Sequence, residues 1–476
     1  MRVLAIFAAA AIALAPRAWA QALPDLGGTG EAALSPQVER RLGESIVRDM
    51  RRDPAFIDDP EISEYLGVLG ARLAQVMPGA RRDFEFFAVR DASINAFALP
   101  GGFVGVHTGL INTADTESEL ASVLAHEMAH VSQRHIARML GQQQQMQLPV
   151  MAAIAAAILL GRSRPDLAAG AAAAAQGGAV SAQLSYSREF ERDADRVGLQ
   201  ALAAGGFEAR AMAMFFEKMQ RTHRVSDDNM VPGYLRTHPL STERIADVQN
   251  RIAALPYKQH LDSAEFQLVR AKLRAETGDA SDAVSHFERS VREKRYASEA
   301  AARYGLVSAL LRVRRAKEAD KELAQLRASG ASGPMIETLA GRVKQGLGDV
   351  SGAEKLLAQA RARYPHSRPL LYAHIGTLLD AGRHADAAAG LVDAVRSYPS
   401  DPRLRELQSR SYAALGKRLL QHQAQAEYYA LQGSLPAAIE QLQLARSAGD
   451  GDFYQLSVVD ARLKELRTLH AQEAKR

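Results

Sequence analysis

The chain has 476 residues, of which 47% are hydrophobic and 24% are charged. This length is too great for one domain and is enough for two sizeable cores. The 59 Lys and Arg residues nearly balance the 54 Asp and Glu residues, and without a concentrated basic tract the formal net charge of +5 argues against a nucleic-acid partner. There is no cysteine in the sequence, which excludes a disulfide framework and a thiolate metal site.

The N-terminus has the features of a secretory signal peptide. Arg2 precedes a long apolar run, and Ala18-Trp19-Ala20 supplies a small-x-small cleavage site. We therefore predict a signal peptide over residues 1–20, cleaved after Ala20. Residues 21–34 contain Gly and Pro and are predicted to form a mobile leader.

Two helices and a small sheet are predicted next. Pro36 and Pro60 each follow a residue that favours a helix N-cap, and apolar residues at helical spacing follow both prolines. The period then changes to two, and residues 94–99 and 103–107 form apolar segments separated by Pro100-Gly101-Gly102. This pattern predicts a small antiparallel sheet with a turn.

A long helix is predicted after Thr116, which forms a capping box with Glu119. It carries His126 and His130 at i and i+4, on one helical face, so that two imidazole nitrogens can reach one metal ion. Glu127 lies between them, where its carboxylate can face the attacking water without occupying a ligand position. The motif alone is a moderate signal, because a catalytic zinc site needs a third protein ligand.

Two segments offer that third ligand. His135 lies five residues after His130, a spacing that points it around the helix and predicts a solvated surface histidine. Glu191 and Asp195 lie at i and i+4 on a later predicted helix, where one carboxylate can bind the metal while the other accepts the spare N–H of a ligating histidine. Interleaved arginines such as Arg192 allow a salt-bridged surface helix instead. The combination with the upstream histidines favours zinc.

The stretch over residues 142–180 is less informative. Its apolar run, residues 148–160, is shorter than the roughly 20 residues that a transmembrane helix needs, so we predict no membrane span in the mature chain. Core helices, a mobile lid and a membrane-surface contact all fit this composition. We favour a lid near the active site.

His238 lies in a predicted loop just before a helix over residues 241–254. It is a candidate donor to the oxyanion formed during hydrolysis. A fourth metal ligand in a resting state and a structural loop histidine are the alternatives. Arg244 on the following helix is a possible support for the site, although an arginine on a helix is usually solvated.

The tail over residues 256–476 has an internal period of 34 residues. Gly348 and Gly382 are 34 apart, each is followed five residues later by an alanine, and Tyr364-Pro365 and Tyr398-Pro399 repeat at the same distance. This helix–turn–helix period is the tetratricopeptide signature, and such solenoids bind protein partners. We expect this tail to be separable from the chemistry.

Several motifs together resemble one peptidase family. His126-Glu127-Met128-Ala129-His130, Glu191-x-x-Ala194-Asp195 and Thr237-His238-Pro239 are similar to those of the gluzincin metallopeptidases related to HtpX and the CAAX prenyl endopeptidases. The repeats in the tail point to their periplasmic, tetratricopeptide-containing subgroup. The resemblance, which covers residues 35–255, implies one Zn²⁺ per chain. The ligands would be His126, His130 and Glu191, with Asp195 supporting a ligand, and Glu127 and His238 would be catalytic.

The resemblance also implies how substrates are bound. In peptidases of this kind an exposed strand edge beside the metal pairs with an extended substrate, which gives affinity through main-chain hydrogen bonds and little sequence selectivity. Asn95 and Ala96 are the positions implied for this edge strand. From the residues alone, Asn95 can also be an ordinary residue flanking a turn.

The sequence therefore predicts a mainly α fold with a small antiparallel sheet. A zincin-like metallopeptidase domain over residues 35–255 is followed by a tetratricopeptide α-solenoid over residues 256–476. The predicted function is a periplasmic zinc endopeptidase in quality control and assembly of outer-membrane proteins. Its expected partners are misassembled outer-membrane proteins and, through the repeats, their insertion machinery, and we expect a monomer. The alternative is a periplasmic chaperone or adaptor that works through its repeats and whose zinc site is structural or latent.

Overall fold

A computed structural model describes residues 35–79, 83–142, 187–225 and 233–473. The predicted signal peptide, the leader and nearly all of the 142–180 segment lie outside these described residues. Within the described ranges, no helix is both long enough and apolar enough to cross a bilayer.

The described ranges contain 21 helices, so the predicted mainly α fold is confirmed. The first nine are α1 (Pro36–Met50), α2 (Pro60–Ala74), α3 (Thr108–Thr113), α4 (Glu117–Ser132), α5 (His135–Gln142), α6 (Arg188–Ala204), α7 (Arg210–Val225), α8 (Gly233–Thr237) and α9 (Thr242–Ala253). The other twelve are α10 (Ala264–Glu276), α11 (Ala280–Glu293), α12 (Glu299–Arg312), α13 (Ala316–Ala328), α14 (Pro334–Gly346), α15 (Val350–Arg363), α16 (Arg368–Asp380), α17 (His384–Ser397), α18 (Pro402–Ala414), α19 (Arg418–Leu431), α20 (Leu435–Arg446) and α21 (Phe453–Glu473).

The sheet is mixed, which corrects the prediction of an antiparallel sheet. Its strands are β1 (Phe56–Ile57), β2 (Glu85–Val89), β3 (Ala96–Leu99) and β4 (Phe103–His107), in the spatial order β1-β2-β4-β3. β4 returns from a tight turn beside β3 and lies between β3 and β2, so it runs parallel to β2 while the other two pairs are antiparallel. The local pattern predicted β3 and β4 but not β1, and it contained no information on the order of the strands. β3 is left at one edge of the sheet.

Helix α4 is the centre of residues 35–255, the part of the chain that the sequence predicts to be catalytic, which is called the catalytic half below. The Thr116 hydroxyl accepts from the Glu119 N–H at its N-terminus, which confirms the predicted cap, and every residue from Glu117 to Val131 is buried. Helix α6 packs directly against it. A Cβ on Gly198 would lie 3.1 Å from the main chain of Ala125, so glycine permits the close approach of the two helices. This approach brings the acidic residues of α6 to the histidines of α4.

The tail forms the predicted series of paired helices. Gly348 and Gly382 each adopt positive φ where a first helix ends, with values of 80° and 73°. Ala353 and Ala387, five residues later, are fully buried where the second helix packs against its neighbours. The period of 34 residues therefore follows from a turn that requires glycine and a contact that requires a small side chain.

One hydrophobic core crosses the predicted domain boundary. The cluster that contains Ile62 and Leu124 of the catalytic half continues through Phe266 of α10 and Tyr304 of α12 to Val343 of α14. The first repeats therefore complete the core of the catalytic half. This packing argues against the expectation that the tail is separable.

A polar cluster joins the first repeat to the N-terminus of α4. The Glu117 carboxylate accepts from the Tyr65 hydroxyl at 3.1 Å, the Ser263 hydroxyl at 2.6 Å and the Ser263 N–H at 3.1 Å, and His260 Nε2 lies 3.1 Å away. In return, Asp262 accepts from the Glu117 N–H at 2.8 Å. Because Glu117 is buried, Tyr65 of α2 and the partners from the linker before α10 replace the water that a carboxylate otherwise requires.

We predict that ending the chain after Pro256 lowers the melting temperature by about 10 °C or more. Removing the linker and the first repeats leaves Tyr65 as the remaining donor to Glu117 and exposes the apolar core residues that pack with Phe266. The combined loss is about 3–5 kcal/mol, and a protein of this size shifts by about 2–4 °C per kcal/mol. Differential scanning calorimetry measures the shift. A chain that ends after Gly346 keeps α10–α14 and is the matched control, which should melt near the full-length value. Equal melting temperatures for the two truncated chains would show that the first repeats are dispensable.

Candidate metal centre and active site

Three side chains from two helices meet at the predicted metal position. His126 and His130 lie on one face of α4, and their Nε2 atoms are 3.0 Å apart. Glu191 of α6 places one carboxylate oxygen 3.5 Å from His126 Nε2 and the other 3.4 Å from His130 Nε2. All three are almost fully buried. The structure thus brings together the three residues that the sequence predicts as ligands.

His238 joins this group from the residue after α8. Its Nδ1 lies 2.8 Å from a Glu191 oxygen and 3.4 Å from His126 Nε2. One ligand atom from each of His126, His130, Glu191 and His238 can be chosen so that all four lie within 4.8 Å of one another. On its other side, His238 Nε2 lies 3.3 Å from a Glu127 oxygen. His238 is therefore within reach of both the metal position and the proposed base.

The donor set fits a zinc ion. Neutral imidazole nitrogens that face one another at 3.0 Å repel unless a proton or a cation lies between them, and here a buried carboxylate faces the same point. Imidazole and carboxylate are common zinc ligands, and a catalytic site uses three of them. Burial raises the pKa of the Glu127 carboxyl against the opposing charges of His238 and His126, which suits a group that must accept a proton near neutral pH.

Asp195 and Arg244 hold the first histidine in place. Asp195 Oδ1 lies 3.0 Å from His126 Nδ1, the arrangement that sets the tautomer of a ligating imidazole. Arg244 donates to both oxygens of Asp195 at 2.8 Å and to the Pro239 carbonyl at 2.7 Å, and its Nη1 forms an ion pair with Glu191 at 2.7 Å. Burial alone would raise the pKa of Asp195, but the bonds from Arg244 and His126 outweigh it and hold that pKa below its ordinary value.

Arg244 is 2% exposed, so the usual solvated role of a helix arginine does not apply here. A single planar guanidinium bridges Glu191 and Asp195 of α6 and the loop that carries His238. The structure therefore places the Arg244 guanidinium at the ligand cluster, and its role as a support for the site stays a prediction. Its buried charge is balanced by the Glu191 and Asp195 carboxylates.

His135 is buried rather than solvated, which corrects the sequence prediction. Its Nδ1 lies 2.9 Å from His130 Nδ1, its Nε2 lies 3.4 Å from Asp193, and its ring stacks on Phe190 at 4.6 Å. The prediction assumed that the helix continues through His135, but α4 ends at Ser132. Arg134 has φ +54°, and His135 begins a new helix. Burial lowers the pKa of His135 to about 4, so its ring is neutral at pH 7 and can orient His130.

The strand predicted to bind substrate lies at the edge of the sheet beside the metal helix. Ala96 begins β3 at the edge of the sheet, and β3 packs against α4. Asn95 precedes it, and its carbonyl accepts from the His107 N–H at 3.0 Å. An edge beside the metal helix is thus present, and pairing of this edge with substrate stays a prediction.

Tyr234 of α8 lies at the candidate site, although the sequence did not indicate it as a functional residue. Its ring stacks on His238 with centroids 4.8 Å apart and meets His126 edge-on at 6.1 Å. An aromatic residue one turn before a histidine usually indicates packing, so local sequence carried no functional signal. Its proximity to the ligands depends on how α8 docks in three dimensions.

These features are those of a metallopeptidase: a buried histidine pair faces a carboxylate from a second helix, and a further carboxylate lies beside them. Residues 62–252 match peptidase family M48, and residues 346–411 match the tetratricopeptide repeat. The chain is 32% identical over 457 residues to the beta-barrel assembly-enhancing protease of Escherichia coli K12. The aligned segment covers 94% of this chain and 92% of the Escherichia coli protein. The chain belongs to peptidase family M48.

Other relatives support the same class. A Vibrio cholerae protein that is also named as a beta-barrel assembly-enhancing protease is 36% identical over 306 residues, which make up 64% of this chain and 63% of the Vibrio protein. The mitochondrial metalloendopeptidase OMA1 of Arabidopsis thaliana is 27% identical over 221 residues, 46% of this chain and 42% of its own. Family membership confirms the enzyme over the adaptor alternative. The boundary between residues 255 and 256 stays a prediction.

We predict that Arg244→Gln lowers metal affinity by about 10–100-fold, the usual effect of removing a group that supports a ligand. The glutamine cannot bridge Asp195 and Glu191, so His126 loses its orientation. Arg192→Gln is the matched control, because Arg192 lies on α6 in an exposed pair with Glu243 that contributes little. Competition with a chromophoric chelator measures both affinities. Equal affinities in the two variants would remove Arg244 from the support of the site.

Proposed function

We propose that this chain is a periplasmic zinc endopeptidase, exported by a cleavable signal peptide, that acts in quality control and assembly of outer-membrane proteins. The observation that carries this proposal is the buried cluster of His126, His130, Glu191 and His238 beside Glu127. Membership of family M48 makes the chain a metallopeptidase, and the names of its relatives supply the substrate class.

We infer that one zinc ion per chain is held by His126, His130 and Glu191. When bound, zinc acts as a Lewis acid that lowers the pKa of water and polarises the substrate carbonyl. Glu127 accepts the proton of the attacking water and transfers it to the leaving amine. Its position next to His126 in the sequence, with its carboxylate on the side of His238, suits this transfer.

Substrate recognition is proposed to be led by the main chain. The β3 edge, with Asn95 and Ala96 at its start, would pair with an extended segment of the substrate. Only an unfolded or misassembled protein exposes such a segment, so the requirement for an extended backbone selects for damaged substrates. Side-chain sequence contributes little to this mode of binding.

The solenoid is proposed to recruit the partners. No described residue of the helices from α16 onward belongs to the core cluster shared with the catalytic half, and we propose that these helices bind the insertion machinery of outer-membrane proteins and large substrates. We propose that the chain works as a monomer, since the metal cluster is complete within one copy.

His238 is proposed to restrain the enzyme at rest. Its Nδ1 lies among the ligand atoms and its Nε2 faces Glu127, so it occupies the space that the attacking water needs. Activity then requires His238 to withdraw. This arrangement would limit hydrolysis until a substrate arrives.

We predict that Glu127→Gln keeps zinc and fold but lowers hydrolysis of an unfolded outer-membrane β-barrel protein by about 10³-fold or more, because an amide cannot accept the proton. Gel-based cleavage assays measure the rate, and zinc content by atomic emission is the control. Near wild-type cleavage by the zinc-loaded variant would remove Glu127 from this role.

We predict that His238→Ala increases cleavage of the same substrate, because the alanine frees the position facing Glu127. Initial rates at equal zinc content provide the test. A decrease of about 10²–10³-fold would instead assign His238 to oxyanion stabilisation alone.

A further inference from the structure

We propose that the Tyr234 hydroxyl is a catalytic hydrogen-bond donor, which binds the substrate carbonyl oxygen as that oxygen gains negative charge during hydrolysis. The inference rests on the proposed roles of Glu127 and His238. It assigns a function to a side chain that otherwise serves only as packing beside His238.

The first observation is an unsatisfied polar atom. Tyr234 is 1% exposed, and its hydroxyl has no hydrogen-bond partner among the described residues. Buried polar groups in native proteins nearly always have a partner, because leaving one unmade costs the desolvation of the group. A hydroxyl left without a partner in the free enzyme is suited to a partner that arrives with the substrate.

The second observation is where the ring lies. It stacks on His238 with an interplanar angle of 28° and meets His126 edge-on, so it forms part of the wall around the ligand atoms. The Tyr234 N–H donates to the Ile94 carbonyl at 3.1 Å, directly before the proposed substrate strand. Tyr234 is thereby tied to the substrate edge through its main chain and to the metal centre through its ring.

The third observation concerns the other donors near the ligands. The Arg244 guanidinium already contacts Asp195, Glu191 and the Pro239 carbonyl. His238 faces Glu191 with one nitrogen and Glu127 with the other. The Tyr234 phenol can donate to a substrate without breaking a hydrogen bond or an ion pair with a described residue.

A phenol donates through its O–H group, and the Tyr234 hydroxyl has this donor free among the described residues. A preorganised donor of this type favours the charged transition state over the uncharged substrate, which raises kcat more than it lowers KM.

The test is Tyr234→Phe, which removes one oxygen and keeps the ring. We expect kcat to fall about 10²-fold with KM within about twofold of wild type. We also expect the melting temperature of the metal-free protein to be unchanged or higher, because the variant removes an unsatisfied buried hydroxyl. A hydroxyl with a structural role would give the opposite sign in the melting experiment.

Tyr65→Phe is the matched control. Tyr65 is also buried, but its hydroxyl donates to Glu117 far from the ligands. This variant should melt at a lower temperature, with kcat within about twofold of wild type. The two tyrosines thus separate loss of a structural hydrogen bond from loss of a catalytic one.

Binding of a phosphinic peptide, which mimics the tetrahedral state, provides a readout besides turnover. Isothermal titration calorimetry should show binding about 10–100-fold weaker to zinc-loaded Tyr234→Phe than to wild type, with unchanged zinc content. Equal phosphinate affinities, or unchanged kcat, would overturn the proposal. If wild-type enzyme cleaves no unfolded protein, the proposed function fails, while the phosphinate comparison still decides the role of Tyr234.

Discussion

The site depends on one buried ionic contact, the guanidinium of Arg244 lying across Asp195 and Glu191. Two carboxylates this deep in a protein repel each other and lose hydration, so neither keeps its charge without a fixed cation. Arg244 supplies that cation, which leaves Asp195 to orient His126 and Glu191 to face the metal position. Spacing the acids by four residues on α6 puts both within the span of one planar fork.

A second constraint comes from the far end of the metal helix. Glu117 begins α4, and its buried carboxylate takes its hydrogen bonds from Tyr65 and from the linker that leads to the repeats, chiefly Ser263. A helix N-terminus favours a carboxylate, but burial makes the carboxylate costly unless its oxygens are satisfied. The repeats therefore contribute to the rigidity of the helix that carries His126 and His130.

Sequence predicted the parts of this site that depend on local spacing. His126, Glu127 and His130 follow from one turn of helix, and the repeats follow from a fixed period. Prediction failed where distant segments or a helix end decided the outcome. His135 was misplaced because a break at Arg134 starts a new helix, and the sheet was taken as antiparallel because strand order depends on tertiary packing. The contact between Tyr234 and His126 joins segments more than 100 residues apart, and a periodic pattern in the sequence contains no information on such a contact.

The residue proposed to restrain the enzyme, His238, and the residue proposed to donate to the substrate, Tyr234, lie within five residues of each other at α8. Helix α8 carries Tyr234, and His238 follows it with its N–H bonded to the Tyr234 carbonyl at 2.8 Å. Their rings are also stacked, so a withdrawal of His238 from Glu127 uncovers the face of the Tyr234 ring on which His238 lies. The anchor of α8 is the bond from Tyr234 to Ile94, directly before the β3 edge. Under the proposed pairing with β3, an extended chain would bind beside the main-chain contact that fixes α8, and adjacent hydrogen bonds would then couple substrate binding to the position of His238.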